Sequence, residues 1–172
     1  MTVETEFLGD WERTHHCGAL NSEHIGQRVL VMGWVARRRD HGGVIFIDLR
    51  DRYGLTQLVF NPLHDEAAHT KADPLRSEFV IAAQGTVEAR PEGMVNSKLA
   101  TGAIEINCDT LRILNFSPTP PFPIDDDTDA GEEIRMRHRY LDLRRPRMQN
   151  NLRLRHQCYQ FTRSFLDGHD FI

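Results

Sequence analysis

Five short runs of β-forming residues lie between positions 28 and 114, with a single helical stretch between the third and fourth. Residues 28–39 are rich in Val, Leu, Met and Trp, and Gly33 marks a bulge or bend within them. Residues 44–51 set Ile45, Ile47 and Leu49 against Phe46, Asp48 and Arg50, the period-two pattern of a half-buried strand. The tight turn Arg52-Tyr53-Gly54 leads into a third run over 55–60, which Asn61-Pro62 stops. An Ala-rich, charged stretch over 64–78 predicts a helix, broken at Pro74. Residues 79–89 and 103–114 alternate again as fourth and fifth strands.

The order β-β-β-α-β-β over so short a stretch is that of a mainly β, five-stranded OB-fold barrel; another small barrel or a split sandwich is the alternative. Residues 15–116 are assigned to this barrel and the unpatterned residues 1–14 to a flexible arm. Asn21-Ser22, followed by Glu23 and His24, predicts a capped helical turn ending at Gly26. Residues 117–134, dense first in proline and then in aspartate, read as a hinge. Helical sequence begins at Glu132 and Glu133, where negative charge suits a helix N-terminus. Residues 148–166 form a longer helix with apolar positions at Leu152, Tyr159, Phe161, Phe165 and Leu166. Because Phe171-Ile172 would leave an apolar end exposed, the chain is expected to be truncated.

Charge and cysteine content narrow the function classes. Net charge is −4, so no global polyanion affinity is announced, yet of 21 basic residues only Lys71 and Lys98 are lysines. Arginine grips phosphate with a planar fork and stacks on bases, although the bias also follows from a GC-rich genome. Cys17, Cys108 and Cys158 are far apart and include no CxxC pair, which argues against zinc and against a disulfide framework. No metal ligands are assigned; the adjacent His15-His16 reads as incidental. With no apolar run of membrane length and no signal pattern, a cytoplasmic location is expected.

The chemistry concentrates in residues 34–61. Arg37, Arg38 and Arg39 end the first run, Gly42-Gly43 turns the chain, and Phe46 follows out of phase with the isoleucines. Guanidinium groups for phosphate beside a ring for stacking would suit single-stranded nucleic acid. A solvated hairpin with one core Phe is the other reading, and the pattern alone leaves both open. Arg37 and Arg38 are equally open between phosphate contact and plain solvation. If Ile45 and Ile47 face the core, Phe46 faces outward between Arg39 and Arg50.

Two passages carry a resemblance. GWVARRRDHGGVIFIDLRDRYGLTQLVF resembles the N-terminal anticodon-binding domain of bacterial aspartyl-tRNA synthetases, and RMRHRYLDLRRPRMQNNLRLRH, residues 135–156, resembles the lead-in to their class II catalytic domain. The resemblance implies that Phe46 stacks under the central anticodon base and that Gln57 reads it. It implies further that Glu105 reads the first base and that Arg39 and Arg90 contact backbone and bases around that pocket. His41 and Gly93, in the RRRDH and PEG stretches, look like those of the non-discriminating form, which accepts tRNA-Asn as well as tRNA-Asp. The segment 135–172 looks like the start of the catalytic domain, with the helix of motif 1, part of a homodimer interface. The parent enzyme would be an aspartate–tRNA ligase using ATP and Mg²⁺. This polypeptide, lacking motifs 2 and 3, is expected to hold no catalytic residue and no cofactor and not to aminoacylate alone. A stand-alone OB-fold binding single strands without sequence preference remains the competing class.

Overall fold

The computed structural model describes residues 4–172, so residues 1–3 of the expected flexible arm lie outside the described residues. The chain divides into two compact units, residues 1–119 and 120–172.

In the first unit, β1 (Arg28–His41), β2 (Val44–Arg50), β3 (Leu55–Phe60), β4 (Val80–Ala89) and β5 (Ile104–Asn115) close into a barrel in the order β1-β2-β3-β5-β4. All neighbours are antiparallel except β3 and β5, whose parallel pairing of Leu58 with Ile106 and Val59 with Asn107 shuts the ring. β1 serves two partners: residues 28–34 pair with β4, and residues 34–41 pair with β2. At Gly33, near the change of partner, a Cβ would stand 2.3 Å from the Arg50 carbonyl oxygen. The bulge itself falls between Val35 and Arg37, not at the glycine. Gly33 is required for the close approach of two backbones, and Ala36 is the extra residue.

That bulge decides which way the arginines point. Val29, Val31 and Val35 are fully buried, so unbroken alternation would turn Arg37 and Arg39 inward too. Ala36 resets the phase: Val35 opposes the buried Leu49, but Arg37 then opposes Asp48 and Arg39 opposes Phe46. On β2 the alternation is as expected, with Ile45, Ile47 and Leu49 fully buried and Phe46, Asp48 and Arg50 half-buried on the outer face. Burying each such aliphatic side chain contributes about 1.5–3 kcal/mol.

The helix α1 (Glu66–Ala72) is shorter than the predicted 64–78. The Asp65 side chain caps it by accepting from the Ala68 N–H at 2.7 Å, and Pro74 prevents its continuation. The chain instead turns to Glu78, whose φ of +66° is unusual for a non-glycine residue. Its N–H donates to the Val35 carbonyl at 2.7 Å, and Arg50 grips both carboxylate oxygens at 2.8 and 2.9 Å. Arg50 is thus committed to the fold, which corrects its expected place as a cation flanking Phe46.

The polar stretch before the barrel is tied to it from Glu6 onward. The Glu6 N–H donates to the Ile113 carbonyl at 2.8 Å, and its carboxylate accepts from Lys71 and from the Ile113 N–H. Arg112 lies 4.2 Å over the Trp11 ring. Asn21 caps its predicted turn, a 3₁₀ turn over Ser22–His24, by accepting from the Glu23 N–H. Asp51 pins the turn after β2: one oxygen accepts from the Tyr53 and Gly54 N–H groups, the other from the Cys17 N–H.

In the second unit, α2 (Glu132–Arg137) and α3 (Arg139–Asp142) precede the long α4 (Pro146–Asp167). Asp142 is fully buried and accepts from Arg145 Nε at 2.7 Å and from Arg139 at 3.2 Å. Asp126 takes the other end of Arg145 and caps α4 through the Arg147 N–H, with Pro146 in the first turn. The apolar side chains along α4, including Leu154, Phe161 and Phe165, are exposed.

Candidate nucleic-acid interface

The barrel's pairing gathers the predicted residues on one outer face. Asp48 on β2 sits opposite Gln57 on β3, and one row along Phe46 sits opposite Val59. Since β5 runs beside β3, Glu105 lands beyond Gln57, and Arg90 follows directly on β4. Arg39, across from Phe46, completes the set. Residues separated by up to 66 positions thus meet because barrel closure makes β3 and β5 neighbours.

These side chains form one hydrogen-bonded line. Arg39 donates to Asp48 at 2.6 Å and to Gln57 Oε1 at 3.3 Å. Gln57 Nε2 in turn donates to Glu105 Oε2 at 2.9 Å. Arg90 donates through Nε to the Ile104 carbonyl at 3.0 Å. Its terminal nitrogen Nη2 is buried without a hydrogen-bond partner, as is Arg39 Nε. Gln57, only 7% exposed, is not the free surface amide that an isolated glutamine suggests. Its neighbours already hold both polar atoms, leaving one N–H and one carbonyl lone pair open.

Burial sets the electrostatics. Desolvation raises the Glu105 carboxyl above its ordinary pKa, opposed by Arg90 and by the Gln57 hydrogen bond. Desolvation also lowers the Arg90 guanidinium from its usual value, while Glu105 and Asp48 pull it back up. Two arginines and two carboxylates share the face, so it is polar and nearly neutral in sum. A patch of this kind selects by hydrogen-bond pattern more than by attraction to phosphate.

His41, exposed at the end of β1, lies with its ring 6.1 Å from that of Phe46 and tilted by 59°. Gly93 lies in the exposed loop after Arg90 with φ +79°, a conformation that favours glycine, and nothing stands where its Cβ would be. Arg38 pairs with Asp73 at 2.8 Å, and Arg37 is exposed. Sequence reasoning missed Asp48, whose signal was an acid placed by alternation on an otherwise basic, aromatic face. It also missed Asn107, whose Oδ1 is buried without a partner while its Nδ2 donates to Glu88 at 3.2 Å. Among the described residues no group of three or more His, Cys, Asp or Glu is placed to hold a metal ion.

Comparison with known proteins agrees with the architecture. Residues 29–114 match the family model described as OB-fold nucleic acid binding domain, and residues 131–172 match tRNA synthetases class II (D, K and N). The chain is 58% identical over 167 residues to the aspartate–tRNA(Asp/Asn) ligase of Desulfotalea psychrophila, which covers 97% of this chain and 28% of that protein. It is 57% identical over 166 residues to the ligase of the same name from Halothermothrix orenii, with 96% and 28% covered. The chain thus spans 28% of the length of these curated relatives. The aspartyl tRNA synthetase structure from Entamoeba histolytica shares the fold at a TM-score of 0.82 and 17% identity, covering 94% of this chain and 38% of that one. With five strands closed as described and half of its residues inside the matching model, the chain belongs to the family of OB-fold nucleic acid binding domains, and its residues 131–172 are similar to class II (D, K and N) tRNA synthetases.

Proposed function

We propose that the barrel reads the anticodon for an aspartate–tRNA ligase. In this reading the whole enzyme activates aspartate with ATP and Mg²⁺ and esterifies the 3′ end of tRNA-Asp, and of tRNA-Asn as well. The observation that carries it is the convergence of Arg39, Phe46, Gln57, Arg90 and Glu105 on one outer barrel face, with hydrogen-bonding capacity left over. Phe46 is the ring on which the central base stacks and Gln57 its reader. Glu105, an acceptor, suits guanine N1 and N2 donors at the first base. Arg39 and Arg90 supply donors to backbone or base oxygens.

The wider tRNA range follows the names of the relatives, which cite both tRNAs. His41 beside Phe46 and the open Gly93 loop are the residues assigned to that tolerance at the third base. The exposed apolar side chains of α4 fit a homodimer interface of the whole enzyme. No described helix is long and apolar enough to cross a membrane, and tRNA charging belongs in the cytoplasm. No residue of this chain is assigned to ATP or Mg²⁺, and the aminoacylation chemistry is not placed here.

Titration against RNA stem-loops tests the reading. A GUC loop should bind the chain at least tenfold more tightly than a scrambled triplet at one salt concentration. Phe46→Ala should weaken GUC binding by about 1–3 kcal/mol. Equal affinity for both loops would leave only a generic single-strand binder. Binding of GUC far tighter than GUU would sink the tolerance assigned to His41 and Gly93.

A further inference from the structure

The Gln57 amide is held at both ends by groups of opposite character, and that asymmetry has a use. Its Oε1 accepts from Arg39 at 3.3 Å and its Nε2 donates to Glu105 at 2.9 Å. Rotating the amide by half a turn would set NH₂ against a guanidinium and oxygen against a carboxylate, losing both bonds. The lock depends on Arg39 staying in place. Arg39 is itself held by Asp48 at 2.6 Å, on a carboxylate only 16% exposed and directly across from Gln57.

We propose that Asp48 is the residue that fixes the polarity of the Gln57 amide and so lets the site tell uracil from cytosine. The inference rests on the reading that Gln57 meets the central base. Uracil presents an acceptor at O4 beside a donor at N3; cytosine presents the reverse, a donor at N4 beside an acceptor at N3. A glutamine amide free to turn satisfies either edge, because it carries one donor end and one acceptor end. An amide locked by Arg39 and Glu105 keeps its remaining N–H and lone pair in one order, which matches one pyrimidine and opposes the other. Asp48 touches no base. It acts through Arg39 and is a positioning residue.

The test uses the 172-residue chain and two RNA stem-loops with GUC and GCC triplets. Wild type should prefer GUC by about tenfold or more, the range of one bidentate base contact. Asp48→Ala, with an unchanged melting temperature, should bring the ratio of the two affinities below about threefold, chiefly by improving GCC relative to GUC. Asp48→Asn, which keeps the shape and a weaker acceptor for Arg39, should restore part of the ratio. A merely structural role would lower both affinities together and leave the ratio alone. If wild type shows the preference and Asp48→Ala keeps it within twofold, the proposal is overturned. If wild type shows no preference between GUC and GCC, it is the reading of Gln57 that fails, and this inference with it.

Discussion

Two clusters of arginine and carboxylate, one in each unit, are built from the same parts and end in opposite states. In the helical unit, Asp142 is fully buried and takes Arg145 and Arg139, while Asp126 takes the far end of Arg145 and the start of α4. Its hydrogen bonds all lie within residues 126–147. On the barrel, Arg39, Asp48, Gln57 and Glu105 also form a chain of bonds, but buried donors on Arg39 and Arg90 are left unmatched. An unmatched buried donor costs about 1–3 kcal/mol. A cluster retained with such vacancies fits a ligand that completes it, whereas a closed one needs only its own fold.

Removing the hub of the closed cluster should give the largest effect. Asp142→Ala strands Arg145 without its buried partner and should cost about 3–5 kcal/mol of helical-unit stability by chemical denaturation followed at a helical signal. RNA affinity of the barrel should be unchanged. A loss below about 1 kcal/mol would erase the distinction between the clusters.

The open cluster should respond in the other direction. Glu105 has its pKa raised by burial, so ionising it costs folding stability that is present at low pH and lost as pH rises through the folded value. Glu105→Gln should therefore leave neutral-pH stability equal or slightly higher, while preference for guanine over adenine at the first base falls by about 1–3 kcal/mol. In wild type that preference should decline as pH drops toward the raised pKa, starting above the ordinary glutamate range, because a protonated carboxyl no longer accepts at both oxygens. A guanine preference flat with pH and unaffected by Glu105→Gln would remove Glu105 from the site.

The smallest effect belongs to Arg37, exposed on β1 outside both clusters. Arg37→Ala should weaken GUC and scrambled loops alike, by about 0.5 kcal/mol, and reduce the slope of log affinity against log salt by about 0.7. Loss of triplet preference in this variant would mean that the reading face extends further along β1.

What could be read without coordinates was whatever depends on neighbours along the chain. The outward phase of Phe46 follows from Ile45 and Ile47, and the Asn21 cap from three adjacent residues. The five strands and their order with the helix follow from local alternation and turn residues. What escaped depends on barrel closure. Arg50 looked like a cation beside Phe46 until the turn at Glu78 brought its partner from 28 positions away. Glu6 looked like part of a loose arm until Ile113 and Lys71 met it. Asp48 was visible as an outward acid, but its hold on Arg39 requires the bulge, and no periodicity announces a one-residue offset. Gln57 and Glu105 came from resemblance; only the parallel pairing of β3 with β5 gives them a shared physical location.

The extra residue at Ala36 couples two periodic patterns that would otherwise disagree. Before it, odd-numbered positions of β1 fill the core; after it, odd-numbered positions share the outer face with Phe46 and Asp48. The strand is therefore forgiving of substitution and unforgiving of length. A changed side chain at Arg37 or Arg39 alters one contact, but one further residue inserted beyond Ala36 would turn every later side chain of the strand to the opposite wall. Replacement can thus retune the outer face one contact at a time, yet a residue added there would invert it in a single step.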